Sequence, residues 1–322
     1  MAEALIEVEG LEKRFTVRRR RGLLRRERRD VAAVDGIGFT IERGTLVGYL
    51  GPNGAGKSTT VKMLTGILVP SRGRIRVAGL DPSRQRVELA RRIGVVFGQR
   101  SQLWWDLPLR DSFDLLRHIY RVPAERHRRN LERFNEVLAL GPFLDTPVRQ
   151  LSLGQRMRGE LTAALLHDPE IVFLDEPTIG LDVVAKAAVR EFLVDVNRER
   201  GVTVLLTTHD LADIERLCSR LLIIDHGHLI WDGGINELKR AYGQERTLVV
   251  DLEEPEPPLE VGGARVIGVE GPRQWLAFRR DEANAAELIA DVASRYRIVD
   301  VAIEETEIEE IVRRIYAADA AR

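Results

Sequence analysis

Gly51-Pro-Asn-Gly-Ala-Gly-Lys57-Ser58 follows the apolar run Leu46-Val-Gly-Tyr-Leu50 and opens the helical stretch Ser58-Thr-Thr-Val-Lys-Met-Leu-Thr-Gly-Ile-Leu68. A buried strand, a turn matching G-x-x-x-x-G-K-[ST] and a helix form, in that order, a cradle for phosphate. Glycines at 51, 54 and 56 let backbone N–H groups turn inward around phosphate oxygens. The following helix aims its positive dipole end at the same anion. Lys57 is placed to reach the β- and γ-phosphates, and the Ser58 hydroxyl to ligate Mg²⁺. A glycine turn with a chance lysine is the bland alternative, and the flanking strand and helix argue against it.

Working outward, Ile171–Leu174, Thr203–Thr208 and Leu221–Leu222-Ile-Ile224 are further short apolar runs separated by helical patterns. That alternation predicts an α/β fold around a parallel sheet, with strands buried on both faces. Val189, Phe192, Leu193 and Val196 line one face of a helix that Gly201 is placed to stop. Residues about 86–165 are Arg-rich and mostly helical by pattern, an insertion between sheet strands. The strand at 171–174 runs into Asp175 and Glu176. There Asp175 is placed to hold Mg²⁺ through water, and Glu176 to polarise an attacking water as general base. His209 ends the 203–208 strand, where α/β folds open their ligand crevice, and is positioned to touch the γ-phosphate. The remaining histidines, His118, His127, His167, His226 and His228, read as structural. Leu151-Ser-Leu-Gly-Gln155 precedes another helical stretch. Physics alone favours reading Ser152 as a helix cap, with an anion-binding end as the alternative.

The chain has 322 residues, 44% hydrophobic and 31% charged, which suits about two soluble domains. A boundary falls near 240. Beyond it, strand-like pieces at 246–252, 264–269, 274–278 and 298–303 and helices at 283–295 and 307–317 predict a small α+β domain over 241–322. No apolar run is long enough to span a bilayer, and the acidic start does not read as a signal peptide. Cys218 is the only cysteine, which excludes an internal disulfide and a thiolate cluster, and it reads as a core residue. The net charge of −1 hides an asymmetry: residues 17–29 hold eight Arg and one Glu, while 244–322 hold 18 acidic and 10 basic residues. The arginine run reads first as a solvated loop, then as a contact for anionic lipid, and last for nucleic acid.

The ordered motifs resemble the ATP-binding cassette (ABC) transporter ATPases over about residues 5–240. The phosphate loop at 51–59 is followed by Gln99, the signature at 151–155, Asp175–Glu176, Gly180-Leu-Asp182 and His209. Leu153 departs from the glycine of the commonest signature, LSGGQ. The resemblance implies a P-loop NTPase: a RecA-like core (residues 1–240) with an antiparallel β subdomain and a helical insertion. It implies ATP and Mg²⁺ as ligands, bound by Gly51, Pro52, Asn53, Gly54, Ala55, Gly56, Lys57, Ser58 and Thr59. It implies a homodimer in which Ser152, Gly154 and Gln155 of one copy complete the other's site. Asp182 would contact the other copy, and Gln99 would sense the γ-phosphate and Mg²⁺. Phe15 matches the aromatic that stacks on adenine, with a core phenylalanine as the alternative.

Stretches such as Phe173-Leu-Asp-Glu-Pro-Thr-Ile-Gly-Leu-Asp182 resemble the drug- and lipid-exporting branch, and 95–108 a viologen-type bacterial subgroup. The implied protein is a cytoplasmic ATPase subunit held at the inner face of the membrane by separate permease subunits. Trp104 and Trp105 would lie at that docking site, with packing inside the insertion as the alternative. The rival function is a soluble ABC ATPase acting on ribosomes or DNA, against which stands the single cassette without coiled coils or zinc modules. A non-hydrolysing regulatory module is disfavoured by the intact Lys57, Asp175, Glu176 and His209.

Overall fold

The computed structural model describes residues 3–21, 25–98, 101–208, 210–243, 245–279 and 281–320. They divide into two compact units, Met1–Asp232 and Gly233–Arg322.

In the first unit the strands are β1 (Ala4–Arg21), β2 (Arg25–Glu42), β3 (Leu46–Leu50), β4 (Arg72–Val77), β5 (Ile93–Phe97), β6 (Ile171–Asp175), β7 (Thr203–Thr207), β8 (Arg220–Asp225) and β9 (His228–Gly234). The helices are α1 (Lys57–Leu64), α2 (Arg86–Ala90), α3 (Leu109–Tyr120), α4 (Ala124–Leu138), α5 (Leu153–Leu165), α6 (Val183–Arg200) and α7 (Leu211–Leu217). Six strands form one sheet in the order β5-β6-β7-β3-β8-β9, and β5 through β8 run parallel. The core strands β3 and β7 are buried at every position, as expected where helices cover both faces. Tyr49, Phe173, Leu205 and Leu222 pack into one core with Met63 and Leu64 of α1. Gly201 ends α6 in the left-handed conformation, at φ 64°. Cys218 is buried, and burial pushes its thiol up to about 12. His127 and His167 are buried, the latter stacked on Tyr120, while His118, His226 and His228 are exposed.

Two sequence expectations change here. The helical region 86–165 includes β5, a five-residue strand of the parallel sheet. The helical insertion proper is α3 to α5. A window wide enough to see helical periodicity averages over so short a strand. Residues 17–21 and 25–29 of the arginine run are not a loop: β1 and β2 continue as an antiparallel ribbon through Thr16↔Asp30, Arg18↔Arg28 and Arg20↔Arg26 to Arg21↔Arg25. A uniform arginine tract has no two-residue alternation, so its strand character is invisible to pattern reading. A second sheet, β2-β1-β4, joins this ribbon to β4.

The second unit holds α8 (Ile235–Tyr242), β10 (Glu245–Leu252), β11 (Ala264–Glu270), β12 (Arg273–Arg279), α9 (Ala285–Arg295), β13 (Ile298–Glu305) and α10 (Ile308–Ala320). Its antiparallel sheet runs β11-β12-β10-β13. Leu248, Val250, Leu276 and Phe278 pack against Leu288 and Val292 of α9. The division at Asp232/Gly233 puts α8 in this unit, where Ile235 and Leu238 are buried and the helix packs on α10.

Candidate functional site

The sheet order sets the site. β7 lies between β3, which leads into the phosphate loop, and β6, which ends in Asp175. All three run parallel, so their C-terminal ends open on one crevice. At that end Thr207 of β7 donates its hydroxyl to Asp175 Oδ1 at 2.5 Å. The next amide, Glu176 N–H, donates to Thr207 O at 2.9 Å. Glu176 then turns out of the strand with φ 56°, a left-handed conformation that costs a non-glycine residue energy.

The phosphate loop is built from close backbone approaches. A Cβ on Gly51 would lie 2.4 Å from Ile224 O, and one on Gly56 would lie 2.4 Å from Ala33 O. Gly56 also has φ 110°. It provides no side chain to cap α1, so the first-turn N–H groups are left for an anion. Gly51 and Ala55 are buried under the loop, while Pro52, Asn53 and Gly54 are exposed. Lys57 is buried and donates to Gly51 O and Pro52 O. Burial pulls its ammonium below the ordinary lysine range, opposed by the charges of Glu176 and Asp175.

A cavity of about 470 Å³ gathers Asn53, Gly54, Gly56, Lys57, Ser58 and Thr59 with Phe97, Gly98, Asp175 and Glu176. Its chemistry is that of a polyanion site with hard oxygen ligands beside it. Ser58 and the Thr207-held Asp175 carboxylate fit Mg²⁺, which binds few protein oxygens and completes its shell with water and phosphate. Ala33 lines the same cavity, and Val31, two residues before it, pairs with Phe15. Phe15 is 38% exposed with Lys13 Nζ 5.3 Å from its ring, so it is not a core residue.

The signature residues stand apart from this cavity. Ser152 caps α5: its hydroxyl accepts from Gln155 N–H at 3.2 Å, and Gln155 Oε1 accepts from Ser152 N–H at 2.9 Å. Ser152 and Leu153 are exposed and Gly154 and Gln155 half-buried, and none lines the cavity. Asp182 likewise caps α6, accepting from Ala185 N–H at 2.7 Å. Gln99 and His209 lie outside the described residues. Trp104 and Trp105 are 37% and 52% exposed, with Arg156 5.9 Å from the Trp105 ring.

Two supporting residues escape the motif reading. Asp213 of α7 is fully buried, accepts from Thr178 Oγ1 at 2.5 Å and pairs with Arg190. It anchors the turn after Glu176 to the helix after His209. Glu160 of α5 is buried and accepts from Ser101 Oγ and, at 3.2 Å, from Gln102 N–H. The only sequence signal for either is an acid on the apolar face of a helix.

The family described as ABC transporter matches residues 34–179. The chain is 38% identical over 250 residues to "Daunorubicin resistance ATP-binding protein DrrA3" of Streptomyces coeruleorubidus, covering 78% of this chain and 74% of that one. It is 35% identical over 263 residues to "Nod factor export ATP-binding protein I" of Ralstonia nicotianae, covering 78% and 77%. Among solved structures, cbiO1 from Clostridium perfringens, described as part of the ABC transporter complex cbiONQ, superposes with a TM-score of 0.62 at 28% identity. That match covers 74% of this chain and 91% of that one.

Proposed function

Because this chain belongs to the ABC transporter family, as one of its ATP-binding, ATP-hydrolysing subunits, we propose that two copies close head to tail on two ATP molecules. This closure drives export through separate membrane permeases. One observation carries the dimer: the cavity gathers Asn53, Gly54, Gly56, Lys57, Ser58 and Thr59 of the phosphate loop with Asp175 and Glu176 but none of the signature, whose Ser152 and Leu153 stand exposed at their own helix start. A second copy's Ser152, Gly154 and Gln155 then complete the site. The relatives named for resistance and for export support the direction of transport. No helix among the described residues is long and apolar enough to cross a membrane.

In the closed site Lys57 and the loop amides hold the phosphates, and Phe15 stacks on the adenine. Ser58 and Asp175 are the residues that would hold Mg²⁺, with Gln99 alongside, and the bound ion neutralises developing charge on the phosphates. Glu176 orients the attacking water and takes its proton, and His209 contacts the γ-phosphate. The protein's part is positioning and electrostatics, since phosphoryl transfer needs little covalent help. The arginine run, 17–21 paired with 25–29, adds a contact for anionic headgroups, each nearby arginine contributing about 1 kcal/mol. Flotation with anionic but not neutral liposomes, lost at moderate salt, is the expected result. Equal flotation of a variant with 18–29 replaced by a Gly/Ser turn removes the lipid contact from the proposal.

The decisive experiment mixes a Lys57→Ala chain with a Ser152→Arg chain. If sites form between copies, both lesions fall in one composite site and the other is intact. Verified mixed dimers should regain ATP-driven closure that neither variant shows alone. Mixed dimers as inert as either parent overturn the head-to-tail arrangement.

A further inference from the structure

The nucleotide cavity opens at the C-terminal ends of β3, β6 and β7, and a second cavity lies at their other ends. It measures about 430 Å³ and gathers Arg43, Arg129, Arg133 and Arg200 with Asp168 and Glu170. Glu170 precedes β6 and Asp175 ends it, so the strand's five residues separate the two cavities by roughly 17 Å. The four guanidiniums come from three elements: the turn between β2 and β3, helix α4, and the last residue of α6.

Two of the arginines are fixed. Arg200 Nη1 donates to Asp168 Oδ1 at 2.9 Å, and its guanidinium lies 4.8 Å from the Phe134 ring centre. Asp168 is itself pinned, accepting from the buried Asn130 Nδ2 at 3.0 Å. It holds φ 57°, a left-handed conformation that a non-glycine residue adopts at a cost. Arg43 Nη2 donates to Glu170 Oε2 at 2.7 Å. On α4, Arg133 pairs with Glu199, while Arg129 makes no hydrogen bond or ion pair among the described residues.

The charges do not cancel. Four guanidiniums against two carboxylates leave an excess of two positive charges in the lining. The next neighbours, Arg92 and Arg126 against Glu3 and Glu199, leave that excess unchanged. Burial pulls the Arg200 guanidinium below its ordinary range; Asp168 opposes the fall, and the like charges of Arg133 and Arg129 add to it. Cations held together this way lack an anion. A phosphoryl group carries about −1.5 to −2 near neutral pH and offers three acceptor oxygens. That matches both the excess charge and forks arriving from three elements, since guanidinium binds phosphate through paired N–H groups.

We propose that this cleft is a binding site for a phosphoryl dianion, separate from the nucleotide cavity, with Arg129 and Arg133 closing on it from α4 and Arg200 and Arg43 holding it from the core. An occupant there ties the helical insertion to the N-terminal ends of the central strands.

The test follows ³¹P line broadening of inorganic phosphate with the full chain at fixed ionic strength. Lys57→Ala disables the phosphate loop and isolates the second site. Broadening should saturate in wild type and persist in Lys57→Ala. Added to that background, Arg129→Gln should weaken binding about tenfold, the effect of losing one charge-assisted hydrogen bond. Arg129 has no partner to lose, so its replacement leaves the fold's own contacts intact, and urea unfolding checks this. Arg128→Gln is the matched control: it removes the same charge one residue away, from an exposed side chain paired only with Glu125. It should leave phosphate binding within about twofold of its parent, since it removes no bond to the ligand. Adenosine monophosphate run alongside separates the sources: tighter binding than phosphate identifies a nucleotide, and equal or weaker binding the free anion. Loss of broadening in Lys57→Ala overturns the proposal, because the signal then belongs to the phosphate loop. So does an unchanged affinity in Arg129→Gln, or an equal loss in Arg128→Gln, which would reduce the effect to general surface charge.

Discussion

The phosphate-loop half of the site and its signature half are built on different principles. Around the phosphate loop the crowding comes from backbone: Gly51 faces Ile224 O, and Gly56 faces Ala33 O, each at 2.4 Å from where a Cβ would stand. Carbonyls fixed in the fold cannot step aside, so the loop has one shape before any nucleotide arrives. At the signature the crowding comes from side-chain tips. Gly180 faces Leu153 Cδ2 at 2.7 Å, while Gly154 makes only an ordinary contact, 3.5 Å, with Ala185 Cβ. Ser152 Oγ and Gln155 Oε1 there already accept from each other's backbone N–H. One half is preorganised to hold an anion. The other is a stable helix start that gives up little by meeting a partner.

The largest expected effect tests whether chemistry belongs wholly to the first half. Glu176→Gln keeps size and hydrogen bonding but removes the base. Turnover should fall by roughly 10²-fold or more, in line with general-base magnitudes. ATP binding should persist, so an ATP-bound dimer accumulates on gel filtration. Undiminished turnover would show that another group activates the water.

Gly56→Ala probes the rigidity claim directly. The new methyl meets Ala33 O, and φ 110° lies outside the conformations that alanine favours. Local strain of about 1–3 kcal/mol corresponds to a loss of ATP affinity of roughly 5- to 150-fold. Calorimetric titration measures it. An affinity within twofold of wild type would mean that the loop yields after all, and the contrast between the halves would collapse.

How much of this was legible beforehand follows the same division. The phosphate loop is one contiguous run and Asp175–Glu176 another, and the need for glycine writes itself into the loop. Strands β3, β6, β7 and β8 and the four of the second unit were readable as short apolar runs, whereas β1, β2, β4, β5 and β9 were not. The arginine ribbon was not, because its strand pairing is inherited from the Phe15↔Val31 register rather than from its own alternation. Glu160 and Asp213 were not, because their partners lie 59 and 35 residues away. An acid's burial is decided by what packs over it, and the local pattern contains no trace of that.

Glu160 also gives the comparison a pH axis. Its folded pKa is raised above the ordinary value of 4.5, first by burial. A raised carboxyl favours the folded state while protonated, and that contribution is lost as pH rises through the folded value. The window opens near 4.5 and closes above the folded pKa. Glu160→Gln cannot ionise, so its stability relative to wild type should improve as pH rises across that window. Urea unfolding at several pH values from about 5 to 8 measures the difference. A gap between the two proteins that is constant with pH would place the charge elsewhere.

The smallest expected effect decides how soft the signature half is. Gly180 has φ 70°, so Gly180→Ala costs about 1–2 kcal/mol from backbone conformation alone. Its new methyl would also meet Leu153, but only the tip of a side chain that is 37% exposed and free to swing. The steric part should therefore be slight. In a double-mutant cycle with Leu153→Gly, the cost of Gly180→Ala should change by less than about 0.5 kcal/mol, the level expected of sites that barely interact. Leu153→Gly alone should cost about 1 kcal/mol, for a glycine placed in a helix. Urea unfolding of the four proteins supplies every corner of the cycle. If Leu153→Gly instead removed a kcal/mol or more of the Gly180→Ala cost, Leu153 would be held as firmly as the carbonyls around the phosphate loop. The leucine that replaces glycine in the signature would then be a built part of the site, and the two halves would be rigid alike.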